Sequence, residues 1–253
     1  MRTVSRLAVA PVKGLALVHP DEVELTPTGV PEDRRFYLVD ERGRLVSGTR
    51  DGPLFTVCAA TDADGSRLSL TFADGREVAG EVELGAPATT MFFGRPVEGR
   101  VVIGPWSDAL SDLLARNVRL LRANDPGGGV DAYPVSLLSE ASLEELARRS
   151  GEQSVDGRRF RMLVHLAGTE PHEEDAWLGR RVRIGAAVVE VTERDPRCRM
   201  TTRNPDSGVR DWDSLKAIKG YRGVSDTKGI DFGVYAKVVE PGRVRVGDPV
   251  EPL

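Results

Sequence analysis

Apolar and polar residues alternate in short stretches through the first half of the chain. Residues 3–9 alternate, and Val23 to Leu25, Phe36 to Val39, Leu54 to Ala59 and Leu68 to Phe72 follow the same habit. A two-residue period sends successive side chains to opposite faces, the pattern of a half-buried strand. Turn formers separate these runs at Glu41-Arg42-Gly43, Asp62-Ala63-Asp64-Gly65 and Ala73-Asp74-Gly75. Asp-Gly supplies the positive φ that tight hairpins need. Short strands at even spacing predict a sandwich or barrel.

The period changes after Pro105. Trp106, Leu110, Leu113 and Leu114 recur at helical spacing and predict a helix over 106–116. The run Asn124-Asp125-Pro126-Gly127-Gly128-Gly129 is the best boundary in the chain and divides it into residues 1–123 and 124–253. A second helix follows, with Ser139 or Ser142 as N-cap, and Glu145 stands at capping-box distance from Ser142. Strand patterns return at Phe160 to Leu166, Arg181 to Ile184 and Val188 to Val191. A short helix is expected near Ser214 to Lys219, then a mobile loop over 220–231. Phe232 to Val239, a Pro241-Gly242 turn and Val244 to Val250 predict a closing hairpin. The expected fold class is mostly β, in the α+β sense, with a few helices on the outside.

Composition narrows the function. The chain has 253 residues, 29% charged and 40% hydrophobic, the balance of an ordinary soluble globule. Lys plus Arg is 35 against 39 for Asp plus Glu, a net charge of −4 that argues against nonspecific nucleic-acid binding. The opening run MRTVSRLAVAPVKG is too short and interrupted for a signal peptide or membrane span. A cytoplasmic protein with no membrane partner is therefore expected. Two cysteines, Cys58 and Cys198, are too few for a disulfide scaffold and are expected as reduced thiols. The three histidines form no zinc-type spacing, and no phosphate-loop or dinucleotide fingerprint is present. The glycine run at 127–129 lies in a polar loop and reads as flexible punctuation.

The two cysteines have opposite surroundings. Cys58 is apolar on both sides, in Val57-Cys58-Ala59, and reads as an ordinary buried thiol. Cys198 follows a strand pattern that Pro196 ends, and stands between Arg197 and Arg199. A buried free thiol is the commoner fate of a cysteine, but a core cysteine is seldom bracketed by charges. Flanking cations favour thiolate, the soft ligand that a soft or borderline metal selects. Thr201 and Thr202 add hydroxyl donors beside it. His165, on the apolar run Met162 to Leu166, reads as a core or barrel-lumen histidine, and Asp206 and Ser207 as turn formers.

Arg197-Cys198-Arg199-Met200-Thr201-Thr202-Arg203-Asn204-Pro205-Asp206-Ser207-Gly208 resembles the cysteine loop of MOSC proteins, above all the amidoxime-reducing component group. Other segments resemble the same family in order: Pro134 to Leu143, Arg159-Phe160-Arg161, Glu174 to Trp177 and Val246 to Val250. Pro11-Val12-Lys13-Gly14 and Asp33 to Asp40 resemble the N-terminal β-barrel domain that precedes MOSC. The resemblance implies a β-barrel-rich MOSC fold, with the N-terminal barrel domain over 1–123 and the MOSC domain over 124–253.

It also implies a molybdenum cofactor, with Cys198 as metal ligand and catalytic residue. Lys13, Arg35 and Arg161 match the family's phosphate-binding cations, with Arg34 as the alternative to Arg35. Ser136, Arg197, Thr201 and Thr202 complete the expected cofactor-binding set. The implied function is a molybdopterin oxidoreductase, independent of pyridoxal phosphate, that reduces N-hydroxylated or other N-oxygenated small molecules. Two alternatives stand beside it: sulfur transfer through a persulfide on Cys198, and a cofactor carrier without catalysis. With no flavin, nicotinamide or iron–sulfur signature, the chain is expected to take electrons from a separate redox protein, whether ferredoxin-like, a flavin reductase or a haem carrier. The chain departs from the family at Met162-Leu163, where Pro-Asn is common, and over Tyr221 to Asp231, which leaves the substrate open.

Overall fold

The computed structural model describes residues 1–253. The first-half strands are β1 (Thr3–Leu7), β2 (Glu22–Leu25), β3 (Phe36–Asp40), β4 (Leu45–Val46), β5 (Cys58–Thr61), β6 (Arg67–Thr71), β7 (Glu77–Glu81), β8 (Glu83–Phe92) and β9 (Arg95–Ile103). Helix α1 (Trp106–Leu114) leads to β10 (Val118–Ala123), β11 (Val135–Ser139) and α2 (Glu140–Ser150). Then come β12 (Val164–Ala167), β13 (Arg181–Ile184), β14 (Ala187–Pro196), α3 (Ser214–Arg222), β15 (Asp231–Glu240), β16 (Gly242–Arg245) and β17 (Val250–Pro252). No helix is long and apolar enough to cross a membrane.

Seven strands form one sheet in the order β1-β12-β11-β15-β14-β13-β17. Its two ends meet: Thr3 bridges Pro249, the Val4 amide donates to the Asp248 carbonyl at 2.9 Å, and the Val250 amide donates to Arg2 at 3.0 Å. A sheet that meets itself leaves no edge open for another chain. Leu137, Val164, Val182, Ile184, Val189 and Val234 fill the core on this barrel. The remaining first-half strands form a five-stranded sheet, β4-β3-β10-β9-β8, and a three-stranded sheet, β5-β6-β7. Their core includes Val12, Leu15, Phe36, Leu54, Leu70, Trp106 and Leu110.

The chain crosses between these bodies early. β1 pairs with β12 and β2 with β16, so residues 3–25 contribute strands to second-half sheets although they precede the boundary at 123/124. Between those strands, Val12 and Leu15 pack into the first-half core. The crossing segment lies along the start of β3: the Phe36 amide donates to the Pro11 carbonyl at 3.0 Å and the Lys13 amide to the Phe36 carbonyl at 2.8 Å.

Several elements differ from the sequence expectation. The strand expected over 54–59 opens as a 3₁₀ turn, Gly52–Thr56, which buries the adjacent Leu54 and Phe55 together. Only Cys58 onward is extended, and in β5 Ala59 faces inward while Cys58 faces solvent. The expectation of a buried Cys58 is thus corrected; apolar neighbours in a strand say nothing of which face the middle residue takes. The strand expected from Phe160 begins at Val164, because Gly157–Phe160 is a 3₁₀ turn and Arg161 adopts a left-handed φ of 55°. Ser139 caps α2, accepting from the Ser142 amide at 3.1 Å, while Glu145 bonds Arg148 and Arg149 instead of closing a capping box. α3 runs on to Arg222, so the glycine-rich loop starts at Gly223. The expected closing hairpin does not form: β16 pairs with β2 and β17 with β13.

Candidate functional site

Three cations from distant parts of the chain converge at the crossing segment. Lys13, buried, donates from Nζ to the Gly129 carbonyl at 2.8 Å and to Asp131, and lies over the Phe92 ring. Arg34 donates to Asp33 and, at 3.0 Å, to the Arg161 carbonyl. Arg161 donates to the Leu15 carbonyl at 2.8 Å and packs over Phe55. Asp33 accepts from the Ala10 amide at 2.8 Å, and the Arg34 amide donates to the Ala10 carbonyl at 2.7 Å. These bonds zip the crossing segment to Asp33-Arg34 and thereby bring Lys13 and Arg34 together. Asp131, in the boundary loop, closes over them.

A second part of the network continues toward the cysteine. Arg197 donates to Asp195 and to the Phe160 carbonyl, with Tyr235 beside the Asp195 carboxyl. Asp195 also lies within the field of Asp131 and Arg34, so the two parts are one electrostatic unit.

The ionisation of this unit is strained in one direction. Burial and, after the opposing Asp131, the nearby Arg34 pull the Lys13 ammonium below its usual range. Burial and Arg34 bring Arg161 down to about 9, still charged at neutral pH. Burial lowers Arg34 as well, but Asp33 and Asp131 outweigh it and its pKa rises. Burial pushes Asp195 up to about 6 despite Arg197. Four cations thus face three carboxylates, and one of those carboxylates is reluctant to ionise. Buried positive charge without full compensation is unfavourable until an anion supplies it.

The doubled arginine splits at this point. Arg34 takes a left-handed φ of 51°, and its neighbour Arg35 turns to the other side. Arg35 reaches only the Asn124 and Asp64 carbonyls, both at 3.4 Å, near Arg122. Arg34, not Arg35, therefore shares the cluster with Lys13 and Arg161. Arg34 lies in a left-handed turn just before β3, and that local backbone conformation decides which arginine is inside.

Cys198 is exposed at the start of a 3₁₀ turn, Arg199–Thr202. Thr201 donates to the Cys198 carbonyl through its amide at 3.2 Å and its hydroxyl at 3.0 Å, and meets the Ser214 hydroxyl at 2.7 Å. Thr202 donates to the Arg199 carbonyl at 2.8 Å. Both threonine hydroxyls are thus occupied in shaping the turn. Ser136 likewise has a structural partner, accepting from the Leu163 amide at 2.9 Å. The Arg197 guanidinium is committed to Asp195 and Phe160, which leaves Arg199 as the open flanking cation.

His165 is buried between Arg6 and Glu140, a structural position. Asn204 accepts from the Asp206 and Ser207 amides, so both are turn residues, and Asp206 pairs with Arg158. Cys58 lies in a crevice of about 250 Å³ that it shares with Phe55, Arg158 and Arg161. Sequence reasoning missed Asp33, Asp131, Asp195 and Tyr235. The Asp33-Arg34 pair could have pointed to the first and the Asp195-Arg197 pair to the third; nothing local distinguishes Asp131 or Tyr235.

No group of three or more His, Cys, Asp or Glu side chains is arranged to hold a metal ion. A metal at Cys198 must therefore bring its other ligands with it, as a pterin dithiolene cofactor does. The excess buried cations suit the phosphate of such a cofactor, and the exposed thiol suits its metal.

Known proteins point the same way. The MOSC N-terminal beta barrel domain matches residues 1–117 and the MOSC domain residues 124–251. The chain is 30% identical to mitochondrial amidoxime-reducing component 1 of Xenopus laevis, over 98% of this chain and 81% of that one. It is 34% identical to human mitochondrial amidoxime reducing component 2, over 98% and 82%. It is 28% identical to the molybdenum cofactor sulfurase of Caenorhabditis elegans, over 93% of this chain but 33% of that enzyme. The chain belongs to the MOSC family, carries the N-terminal β-barrel domain ahead of the MOSC domain, and is related to proteins of molybdenum-cofactor chemistry.

Proposed function

We propose that this chain binds the molybdenum cofactor and reduces N-hydroxylated small molecules with electrons from a separate protein. The carrying observation is the incompletely compensated cluster of Lys13, Arg34 and Arg161. Cations drawn from three distant segments and buried together favour a phosphate, and these positions match the family's phosphate-binding cations, with Arg34 in place of Arg35. Cys198 is the metal's protein ligand in this reading. Similarity to amidoxime-reducing components supports the reaction class.

When bound, the cofactor would supply the two-electron redox chemistry for cleaving an N–O bond. The protein's part is to bind and orient. Lys13, Arg34 and Arg161 hold the phosphate by charge-assisted hydrogen bonds. The Thr201–Ser214 bond fixes the turn that presents Cys198. Asp195 anchors the Arg197 guanidinium that precedes the cysteine. Reducing an amidoxime takes two electrons and two protons and yields the amidine and one water.

The test is to make the protein in a cofactor-producing host, measure molybdenum per chain, and assay benzamidoxime reduction with reduced viologen. The reading expects near-stoichiometric molybdenum and steady turnover. A molybdenum-free protein that carries sulfane sulfur on Cys198 would favour the second reading, sulfur transfer, which the exposed thiol and the sulfurase relative support. Full molybdenum with no turnover would favour a carrier.

A further inference from the structure

The chain as a whole is acidic, yet the stretch Pro196–Arg222 holds seven Lys and Arg against three Asp and no Glu. The three carboxylates are all engaged. Asp206 pairs with Arg158 at 2.7 Å, Asp211 with Arg159 at 2.8 Å, and Asp213 caps α3 by accepting from the Lys216 amide at 3.0 Å. Three of the cations are also engaged: Arg197 with Asp195, Arg203 with the Thr49, Arg50 and Gly208 carbonyls, and Arg222 with Asp175. Arg199, Arg210, Lys216 and Lys219 are all exposed with no carboxylate oxygen within 4.0 Å, and of these Arg210 donates to the Thr49 carbonyl at 2.8 Å.

Arg199 stands in the cysteine turn, and Lys216 and Lys219 stand on α3, which packs against that turn. Thr201 bonds both the Cys198 carbonyl and the Ser214 hydroxyl, so a single threonine links Cys198 to the first turn of α3. The exposed Val209 beside Arg210 adds an apolar contact point. A groove of about 510 Å³ runs from α3 to the end of α2, lined by Arg149, Trp212, Lys216 and Tyr221 among others. Asp213 also lines it, but its carboxylate is committed to the helix cap.

From this charge pattern we propose that Arg199, Arg210, Lys216 and Lys219 form the docking surface for an acidic one-electron carrier protein. The inference rests on the reductase reading above, which requires an outside donor for two electrons delivered singly. Electron-transfer contacts are small and transient, and complementary charge speeds their encounter more than it tightens them. A cation-rich stretch that includes the cysteine turn, on an otherwise acidic protein, would attract such a partner.

The test uses the molybdenum-loaded protein with an acidic ferredoxin and its reductase as probe. Lys216→Glu/Lys219→Glu should raise the KM for ferredoxin about tenfold and flatten its dependence on salt. Turnover with reduced viologen should not change. Binding of oxidised ferredoxin, titrated by calorimetry without substrate, should weaken in parallel. Lys216→Gln/Lys219→Gln should give a smaller effect in the same direction and guards against damage from charge reversal. Unchanged ferredoxin KM and binding in both variants, or no ferredoxin binding by the wild type at low salt, overturns the docking surface while leaving the reductase reading intact. Absence of viologen turnover despite full molybdenum overturns the reductase reading, and the calorimetric comparison still decides the surface.

Discussion

The cation cluster and the cysteine turn are built in opposite ways. Lys13, Arg34, Asp131 and Arg161 come from four segments and are held by backbone carbonyls and the Asp131 carboxylate. Cys198 sits on an exposed turn shaped by residues close in sequence, Thr201, Thr202 and Ser214. The first arrangement is a product of the whole fold, suited to holding an anion permanently. The second keeps a thiol open to what binds above it. Retention and reactivity are therefore assigned to different parts of the molecule and should separate by substitution.

The largest separation is expected at Cys198. Cys198→Ser replaces a soft thiolate with a mostly protonated hydroxyl. It should abolish reductase activity and the metal–thiolate absorption, yet keep most of the pterin, read as its fluorescent oxidation product. An active Cys198→Ser protein would sink the assignment.

Next comes the doubled arginine. Arg34→Ala removes one charge-assisted partner, worth roughly 1.5–3 kcal/mol, so pterin retention should fall about tenfold or more. Arg35→Ala should retain pterin like the wild type. Equal loss in the two variants would mean that the register at β3 differs from the one described.

Asp195 joins the two regions, and its burial gives a pH signature. Its pKa of about 6 lies above the value of about 3.9 for a free aspartate. Between those values the folded protein holds a proton that the unfolded chain has released, so stability falls as pH rises across that window. Asp195→Asn removes the ionisation. Relative to the wild type, its stability in the cofactor-free state should grow by on the order of 2 kcal/mol between about pH 4 and about pH 7. Urea titration at both pH values checks this, and a constant difference rules the raised pKa out.

Smaller still is Ser214→Ala, which leaves the Thr201 hydroxyl without one buried partner. The cost should be about 1 kcal/mol of stability with a few-fold loss of activity and unchanged pterin. Cys58→Ser, in the crevice on the other side of Arg161, should alter neither activity nor pterin, measured side by side with Cys198→Ser.

Much of this could be read before the fold was known. The alternation of β6 and β13, the helical spacing of α1 and the bracketed Cys198 are local patterns, and local patterns survive folding. The failures were of three kinds. Cys58 needed the face of a strand, which a one-residue shift reverses. The buried Leu54 and Phe55 share a 3₁₀ turn, and short apolar runs do not reveal their backbone. Which of Arg34 and Arg35 joins the cluster, and the role of Asp131, depend on contacts between residues 127 and 118 positions apart, for which no local signal exists. The Thr201 and Thr202 hydroxyls, whose chemistry suits a ligand, also shape the turn.

The pairing of β1 with both β12 and the segment before β17 has a consequence for how the protein is born. Synthesis runs from the N-terminus, so β1 leaves the ribosome first and its partner near Pro249 last. Until then the barrel is an open sheet with an exposed edge, a form that invites chaperones or aggregation. Lys13 hangs from the same early segment. The cation cluster uses residues 13 to 161 and so precedes in synthesis the contact that closes the barrel.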